Sequence, residues 1–152
     1  MKLGEALTLR SQIQTRIEQL RGRLTASALV QEGEQPPEDP ADLLAEFDDL
    51  ATELERLVTR INHTNIATRL SDGTTLTDGL ARRDALAVRQ SVIRQVADVA
   101  GARQQRYGRA EIRTLSTVDV AALRRQADDL ARERRELDAK IQETNWSTDL
   151  LE

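Results

Sequence analysis

The chain has 152 residues, of which 39% are hydrophobic, 32% charged and 2% aromatic, and its formal net charge is −4. It contains no cysteine, which excludes disulfide bonds and cysteine-based zinc sites, and its scarcity of aromatic residues leaves few stacking platforms for single-stranded nucleic acid. A compact chain of this length buries roughly 70% of its unfolded surface, so we expect a single domain, residues 1–152, with an aliphatic core.

The first predicted helix covers about residues 2–28. Its apolar residues recur at spacings of three and four, which is typical of a heptad seam: Leu3, Ala6, Ile13, Ile17, Leu20 and Leu24. Arg10 occupies one position of this seam. A charged residue at such a position lowers stability but can specify the register and the partner of a helix.

The segment 31–40 (QEGEQPPEDP) ends the first helix, because its prolines cannot continue a helix and Gly33 favours a turn. Asp39 and Pro40 then form an N-cap followed by a proline at the first helical position. The second predicted helix covers about residues 41–63, with an unbroken heptad seam of Leu43, Phe47, Leu50, Leu54, Leu57 and Ile61. A short loop between two such seams predicts an antiparallel helical hairpin.

Polar residues collect where the second helix is expected to end. Asn62, Thr64, Asn65 and Arg69 form a candidate polar cluster. Such residues cap helices and form turns, and polar groups that converge near a helix end also bind small anions. The Asp72–Gly73 pair that follows indicates a tight turn, and residues 66–76 fit either a small β-hairpin or an irregular loop.

The third predicted helix covers about residues 76–105 and is capped by Thr75 with Asp78, or by Thr77 alone. Its apolar residues cover a broad face rather than a narrow seam: Leu80, Ala85, Leu86, Val88, Val92, Ile93, Val96, Val99 and Ala100. We therefore predict that this helix is the central element and packs against more than one neighbour.

The fourth predicted helix covers about residues 118–145, after a weakly alternating segment at 109–116 that fits a short strand. Ser116 and Thr117 are candidate caps, and Asp119 fits the first turn. Arg134 interrupts a heptad seam of Val120, Leu123, Ala127, Leu130, Leu137 and Ile141. Trp146 is expected to anchor the tail against the helices.

Together these elements predict a mainly α protein. Four long amphipathic helices form an antiparallel bundle or coiled-coil arrangement, with a small β-hairpin or strand insertion around 66–76 and 109–116. Arg10 and Arg134 occupy equivalent seam positions in the first and fourth helices, and we hypothesise that they determine register by reaching an acidic residue on a facing helix. The candidate acidic partners are Glu46, Glu53 and Glu136.

Few residues could carry catalysis. His63 is the only histidine, so a site with several histidine ligands is excluded. The sequence has no phosphate-binding loop, no dinucleotide-binding fingerprint and no serine nucleophile elbow. The carboxylates Asp48, Asp49, Glu53 and Glu55 are best explained as a solvated helix face. We therefore expect no enzyme activity, no cofactor and no metal site, and a hydrolase built on His63 is the weakest alternative.

The charge is unevenly distributed along the chain. Residues 69–113 have a net charge of +4, whereas residues 1–68 have −5 and residues 114–152 have −3. Arg103, Arg106, Arg109 and Arg113 form a candidate basic interaction patch. Such a patch binds nucleic acid or pairs with acidic segments of the same or a second chain. Because the whole protein is acidic, we favour the second interpretation and expect no nucleic-acid partner.

Nothing in the sequence resembles an export signal or a membrane-spanning segment, because no stretch approaches the roughly 18 consecutive apolar residues that a membrane helix needs. We therefore expect a cytoplasmic protein with no membrane partner.

Four segments resemble a family of short bacterial helical proteins that are often labelled septicolysin and are otherwise described as a domain of unknown function. They are MKLGEALTLRSQIQTRIEQLR, VQEGEQPPEDP, INHTNIATRLSDGTTLTDGLARRD and STVDVAALRRQADDLARERRELDAKIQETNW. The resemblance implies a helical fold and supplies no catalytic residue. The septicolysin label implies a membrane-active, pore-forming cytolysin, which would need apolar segments that contact lipid.

The three heptad seams and the broad apolar face of the third helix present more apolar surface than one thin helical bundle can cover. This excess favours a non-catalytic helical protein that associates with further copies of itself. We therefore expect a homo-oligomer. The alternatives are a membrane-active cytolysin and a nucleic-acid-binding module that uses the segment from Arg103 to Arg113.

Overall fold

The computed structural model of the chain describes residues 1–102 and 114–152. Within these two ranges the protein contains four long helices and no β-strand. The helices are α1 (Leu3–Ser27), α2 (Pro40–Ala67), α3 (Leu76–Gly101) and α4 (Val120–Ser147). The predicted mainly α class, with four long helices, is confirmed.

The chain divides into two compact units. The first unit contains Met1–Arg69 and Gln142–Glu152, and the second contains Leu70–Ile141. Helix α4 therefore begins in the second unit, and its last residues, 142–147, belong to the first.

In the first unit, α1 and α2 pack against each other along the predicted seams. The buried apolar residues of this pair are Leu3, Ala6, Ile13 and Leu20 on α1 and Leu43, Leu50, Leu57 and Ile61 on α2. The guanidinium of Arg16 donates to Glu46 at 2.7 and 3.1 Å, and Arg23 donates to Glu38. Arg23 lies later in α1 than Arg16, and its partner Glu38 lies earlier in the chain than Glu46. The two helices are therefore antiparallel, as the sequence predicts.

The loop between α1 and α2 turns at Gly33, whose φ of +88° is readily adopted only by glycine. Asp39 then caps α2, since its carboxylate accepts a hydrogen bond of 2.9 Å from the backbone N–H of Ala41. Pro40 occupies the first helical position, where its missing N–H costs no intrahelical bond. This predicted helix start is confirmed.

Helix α2 continues to Ala67, four residues beyond its predicted end near residue 63. Thr64 is fully buried and donates to the backbone oxygen of Arg60 at 2.8 Å, so burial outweighs the low helix propensity of this polar stretch. No β-strand forms at 66–76, and of the small β-hairpin that was one alternative for this segment only the isolated bridge residues Arg69 and Thr75 are present. A single tight turn connects α2 to α3, with the N–H of Leu70 bonded to the oxygen of Thr74 and Gly73 at φ +87°.

In the second unit, α3 and α4 run antiparallel. Arg83, in the first half of α3, lies 3.7 Å from Asp138 in the second half of α4. Gly101, at the end of α3, lies against Val120 and Arg124 at the start of α4. Arg82 also pairs with Glu133. Gly79 of α3 is buried against Leu70, whose Cδ1 lies 2.5 Å from the place where a Cβ would stand. The buried apolar residues of this unit are Leu70, Leu76, Leu86, Ala97, Ala127, Leu137 and Ile141.

The caps of α3 and α4 differ in how well the sequence predicts them. Thr75 and Asp78 form the expected capping box, in which Thr75 accepts from the N–H of Asp78 at 3.1 Å. At α4, Asp119 is the cap, because its carboxylate accepts from the N–H of Ala122 at 3.0 Å. The predicted caps Ser116 and Thr117 therefore lie three and two residues too early, and α4 begins two residues later than expected.

The described part of the chain leaves one side of α3 exposed. Val88, Val92, Val96 and Val99 are 64%, 54%, 42% and 73% exposed, and we call these four residues the outer face of α3. Residues two apart in a helix lie about 200° apart around its axis, so Val88 lies nearly opposite the buried Leu86. The prediction that the broad apolar face packs inside the chain is therefore wrong for these valines.

Replacing Asp39 tests the cap of α2. We expect Asp39→Ala to lower the free energy of unfolding by about 1 kcal/mol, because the N–H of Ala41 loses its acceptor at the helix start. Urea denaturation followed by circular dichroism measures this change. The control is Asp48→Ala, at an exposed position inside the same helix, and an equal loss in both variants would contradict the capping role.

Candidate functional site

The predicted polar cluster at the end of α2 does not form one open site. Thr64 is buried, whereas Asn62 and Arg69 are exposed and Asn65 is half-buried. The hydroxyl of Thr64 donates to the oxygen of Arg60 and accepts from the backbone N–H of Leu151 at 3.0 Å. Both functions of this hydroxyl are therefore used within the first unit.

The ends of the described chain meet in what we call the terminal clasp, residues 1–3 with residues 147–151. The N–H of Leu3 donates to the oxygen of Thr148, and the N–H of Leu150 donates to the oxygen of Met1, both at 2.9 Å. Lys2 and Asp149 form an isolated antiparallel bridge between these segments. The side chain of Arg60 also donates to the oxygen of Leu151 at 2.8 Å, so α2 contributes to holding the tail.

Side chains reinforce the terminal clasp. The ammonium of Lys2 lies 2.9 Å from a carboxylate oxygen of Asp149 and donates to the backbone oxygen of Ser147 at 3.1 Å. The hydrogen bond from Lys2, together with its positive charge, lowers the pKa of Asp149. Both side chains are exposed, so we expect this pair to contribute modestly to stability.

Trp146 packs against the start of α1. Its indole lies so close to Gly4 that a Cβ on residue 4 would stand 2.8 Å from Cδ2. Only glycine fits at this position without moving the ring. The indole contacts α1, as the expected anchoring role requires, yet it is 57% exposed, so its environment reports directly on this contact.

The two seam arginines have different surroundings. Arg10 is half-buried, and its Nε is buried without a hydrogen-bond partner among residues 1–102 and 114–152. Arg134 is exposed and donates to the side-chain oxygen of Gln90 at 3.2 Å. Glu46, a candidate acidic partner, is engaged by Arg16 and Arg23 instead. Glu53 and Glu136 lie exposed.

The predicted basic patch of Arg103, Arg106, Arg109 and Arg113 lies outside the described residues, as does most of the strand predicted at 109–116. His63 is exposed on α2. In the part of the chain that the structure describes, no three histidine, aspartate or glutamate side chains are grouped so as to hold a metal ion.

The outer face of α3 contains four exposed large apolar residues, more than any other described helix. Beside its C-terminal half, Val96, Val99, Leu115 and Val118 line a groove of about 490 Å³, and Leu115 and Val118 are themselves exposed. The apolar surface therefore continues from α3 into the residues that precede α4. Large exposed apolar patches mark sites of interaction.

Charged residues border this face on both sides. Arg82 and Arg89 lie along one border, and Asp84 and Asp98 lie along the other. All four are exposed. An apolar stripe between a basic and an acidic border is the arrangement of a helix that pairs with another helix.

The valines of this surface are visible in the sequence as part of an apolar pattern, but the pattern alone does not show that they are exposed. The apolar residues of α3 belong to two stripes, one on each side of the helix. A single broad face and two opposite narrow faces give the same count of apolar residues. Only the exposed fractions of the valines separate the two cases.

None of the helices in the described ranges combines the length and the hydropathy needed to cross a membrane.

The comparisons with known proteins leave the function open, and one solved structure has the same fold. Residues 10–150 match a family of unknown function, DUF6847. The chain is also similar to a functionally unknown conserved protein from Corynebacterium diphtheriae, whose crystal structure shares 44% sequence identity and a TM-score of 0.93. That match covers 99% of each chain. No curated protein matches the chain.

Replacing Gly4 tests the contact with Trp146. We expect Gly4→Ala to lower the free energy of unfolding by about 1–3 kcal/mol and to shift the tryptophan emission, because the new Cβ displaces the indole. The matched control is Gly22→Ala, where no atom lies within 4 Å of the new Cβ. It should stabilise α1 by about 0.5–1 kcal/mol without changing the emission. Equal stabilisation of both variants would contradict the contact.

The Lys2–Asp149 pair predicts a dependence of stability on pH. Because the pKa of Asp149 is lowered in the folded protein, its contribution is complete above pH about 4 and is lost as pH falls through the folded-state pKa. We expect the acid-induced loss of stability to be smaller in Asp149→Asn than in the wild type, as measured by urea denaturation between about pH 6 and pH 2. Lys2→Met should have a similar effect, and an unchanged pH profile in both variants would contradict the pair.

Proposed function

The chain belongs to the DUF6847 family of unknown function, and we propose that it is a non-catalytic helical protein that associates with further copies of itself through the outer face of α3. The observation that carries this proposal is the exposure of four valines along one side of a single helix. Isolated exposed apolar residues are common on soluble proteins, whereas a stripe of them at helical spacing is typical of a contact surface.

The apolar burial that this face offers is comparable to the cost of association. Fully burying a valine stabilises an association by roughly 1.5 kcal/mol or more, and an interface between two copies covers this face twice. Association costs roughly 4–15 kcal/mol in translational and rotational freedom. The four valines are already partly covered in the single chain, so burying them in both copies gives roughly 7–14 kcal/mol, which lies within the range of that cost. The groove beside Leu115 and Val118 adds apolar area.

Light scattering coupled to size exclusion tests this proposal. We expect the wild type to have a mass above that of one chain at micromolar concentration, increasing with concentration. Val92→Glu should return the mass to that of one chain, because it places a charge in the middle of the outer face. Circular dichroism should show an unchanged helix content, since Val92 is exposed in the single chain.

A matched control separates this face from exposed apolar residues in general. Leu44 of α2 is 51% exposed, close to Val92, so Leu44→Glu introduces the same charge at a similar exposure on another helix. It should leave the mass of the wild type unchanged. A wild type that stays at the mass of one chain throughout the micromolar range would overturn the proposal, and dissociation by both substitutions would place the contact elsewhere.

A further inference from the structure

The outer face of α3 has a heptad pattern of its own, separate from the buried seam. In this pattern the contact positions are Ala81, Ala85, Val88, Val92, Gln95 and Val99. Asp84 and Asp98 follow one border, which we call the aspartate border, and Arg82 and Arg89 follow the other, which we call the arginine border. The two borders of one helix therefore have opposite charge.

From this arrangement we propose that a second copy of the chain docks on the outer face of α3 with its own α3 parallel and in register, a proposal that rests on the self-association proposed above. The partner is thus a second copy in one stated orientation, and the interface has two-fold symmetry. Charge complementarity and one polar residue determine this orientation.

Parallel pairing brings the aspartate border of each copy against the arginine border of the other. In a parallel pair of helices, a residue at the position of Asp84 faces the residue five positions later in the partner. Asp84 of one copy therefore faces Arg89 of the second copy, and two-fold symmetry repeats the pair. Both side chains are exposed in the single chain and available for this contact.

Antiparallel pairing would bring like charges together. If Val92 of one copy lay opposite Val88 of the second, the aspartate borders would adjoin each other, as would the arginine borders. Asp84 would then lie beside Asp98 of the second copy, and Arg89 would lie beside its own symmetry mate. Like charges at these positions destabilise a helix pair, so the charge pattern disfavours this arrangement.

Gln95 favours the same orientation. It lies between Val92 and Val99 in the contact stripe, where a polar residue specifies register. In the parallel arrangement two Gln95 side chains lie side by side, and each amide can both donate and accept. In the antiparallel arrangement Gln95 lies opposite Ala85, which has no polar side-chain atom to pair with it.

The contacts of Asp84 within its own chain are compatible with this role. Arg83 donates to Asp84 at 3.0 and 3.1 Å, and both bonds end on Oδ1. The second carboxylate oxygen, Oδ2, can accept from Arg89 of a second copy. The Arg83–Asp84 pair is a contact between neighbouring residues, so it sets no preference between the two orientations.

A charge exchange tests the orientation. Asp84→Arg should weaken dimerisation roughly five- to tenfold if the helices are parallel, because each attractive pair becomes repulsive. In the antiparallel arrangement the same substitution would place an arginine beside Asp98 and strengthen dimerisation. Arg89→Asp should also weaken the dimer, and a mixture of the two variants should restore it. Sedimentation equilibrium measures the dissociation constants.

The matched control is Asp129→Arg on α4. Asp129 is exposed and pairs with Arg132 of its own helix at 2.9 Å, much as Asp84 pairs with Arg83. The substitution changes the net charge by the same amount but lies away from α3, so it should leave the dissociation constant within about twofold of the wild type. An equal weakening by both substitutions would mean that net charge alone acts, which would overturn the proposed orientation.

Disulfide trapping gives a second readout. The chain has no cysteine, so Val99→Cys introduces a single thiol. In a parallel, in-register dimer the two thiols adjoin across the axis and should form a disulfide under oxidised glutathione, which requires Cα atoms within about 7 Å. In the antiparallel arrangement they lie roughly 27 Å apart. Leu44→Cys is the control for disulfides that form by random collision between chains, because it places an exposed thiol on another helix.

The outcomes distinguish this proposal from the one on which it rests. A wild type that remains a single chain overturns both. A second outcome overturns the parallel orientation alone. In it the wild type dimerises and Val92→Glu dissociates the dimer, but Asp84→Arg tightens dimerisation and Val99→Cys forms no disulfide. Self-association through the outer face of α3 would then still hold. Weakening by Asp84→Arg, restoration in the mixture and linkage through Val99→Cys support the parallel orientation.

Discussion

The buried hydroxyl of Thr64 connects two parts of the first unit that lie far apart in the sequence. It donates to the oxygen of Arg60 inside α2 and accepts from the N–H of Leu151 in the tail. A buried hydroxyl without partners would be destabilising, and here both of its functions are satisfied. The same residue thus allows α2 to continue through a polar stretch and fixes where the tail lies. The terminal clasp and the Trp146–Gly4 contact both depend on that position of the tail.

The local features of the fold could be predicted from the sequence because their causes are local. The seam of Leu43, Leu50, Leu57 and Ile61 is visible as a heptad and is buried. The capping box of Thr75 and Asp78 involves residues three apart. The cap at Asp119 was harder to identify, since Ser116 and Thr117 are equally good capping residues and only the geometry of the first turn chooses among them.

The features that sequence reasoning missed depend on distant contacts or on exposure. The polar cluster around Thr64 predicted the end of α2 or an open anion site, because nothing local shows that Leu151 donates to that hydroxyl. The valines of α3 predicted a buried broad face, because periodicity reports which residues share a side of a helix but not what covers it. For the candidate surface, the residues were therefore visible in the sequence, whereas their exposure came only from the structure.

The composition of the first unit has a consequence for synthesis on the ribosome. This unit contains Met1–Arg69 but also Gln142–Glu152. The α1–α2 pair can therefore form as a local hairpin while translation continues. The residue that donates to the Thr64 hydroxyl and the residues that bond to residues 1–3 are synthesised only after α3 and α4. Closing contacts across nearly the whole chain is entropically slow. Residues 1–3 thus gain these partners only after α4 has been made, and a nascent chain stalled before residue 148 exposes the edge of α1 that residues 148–150 contact.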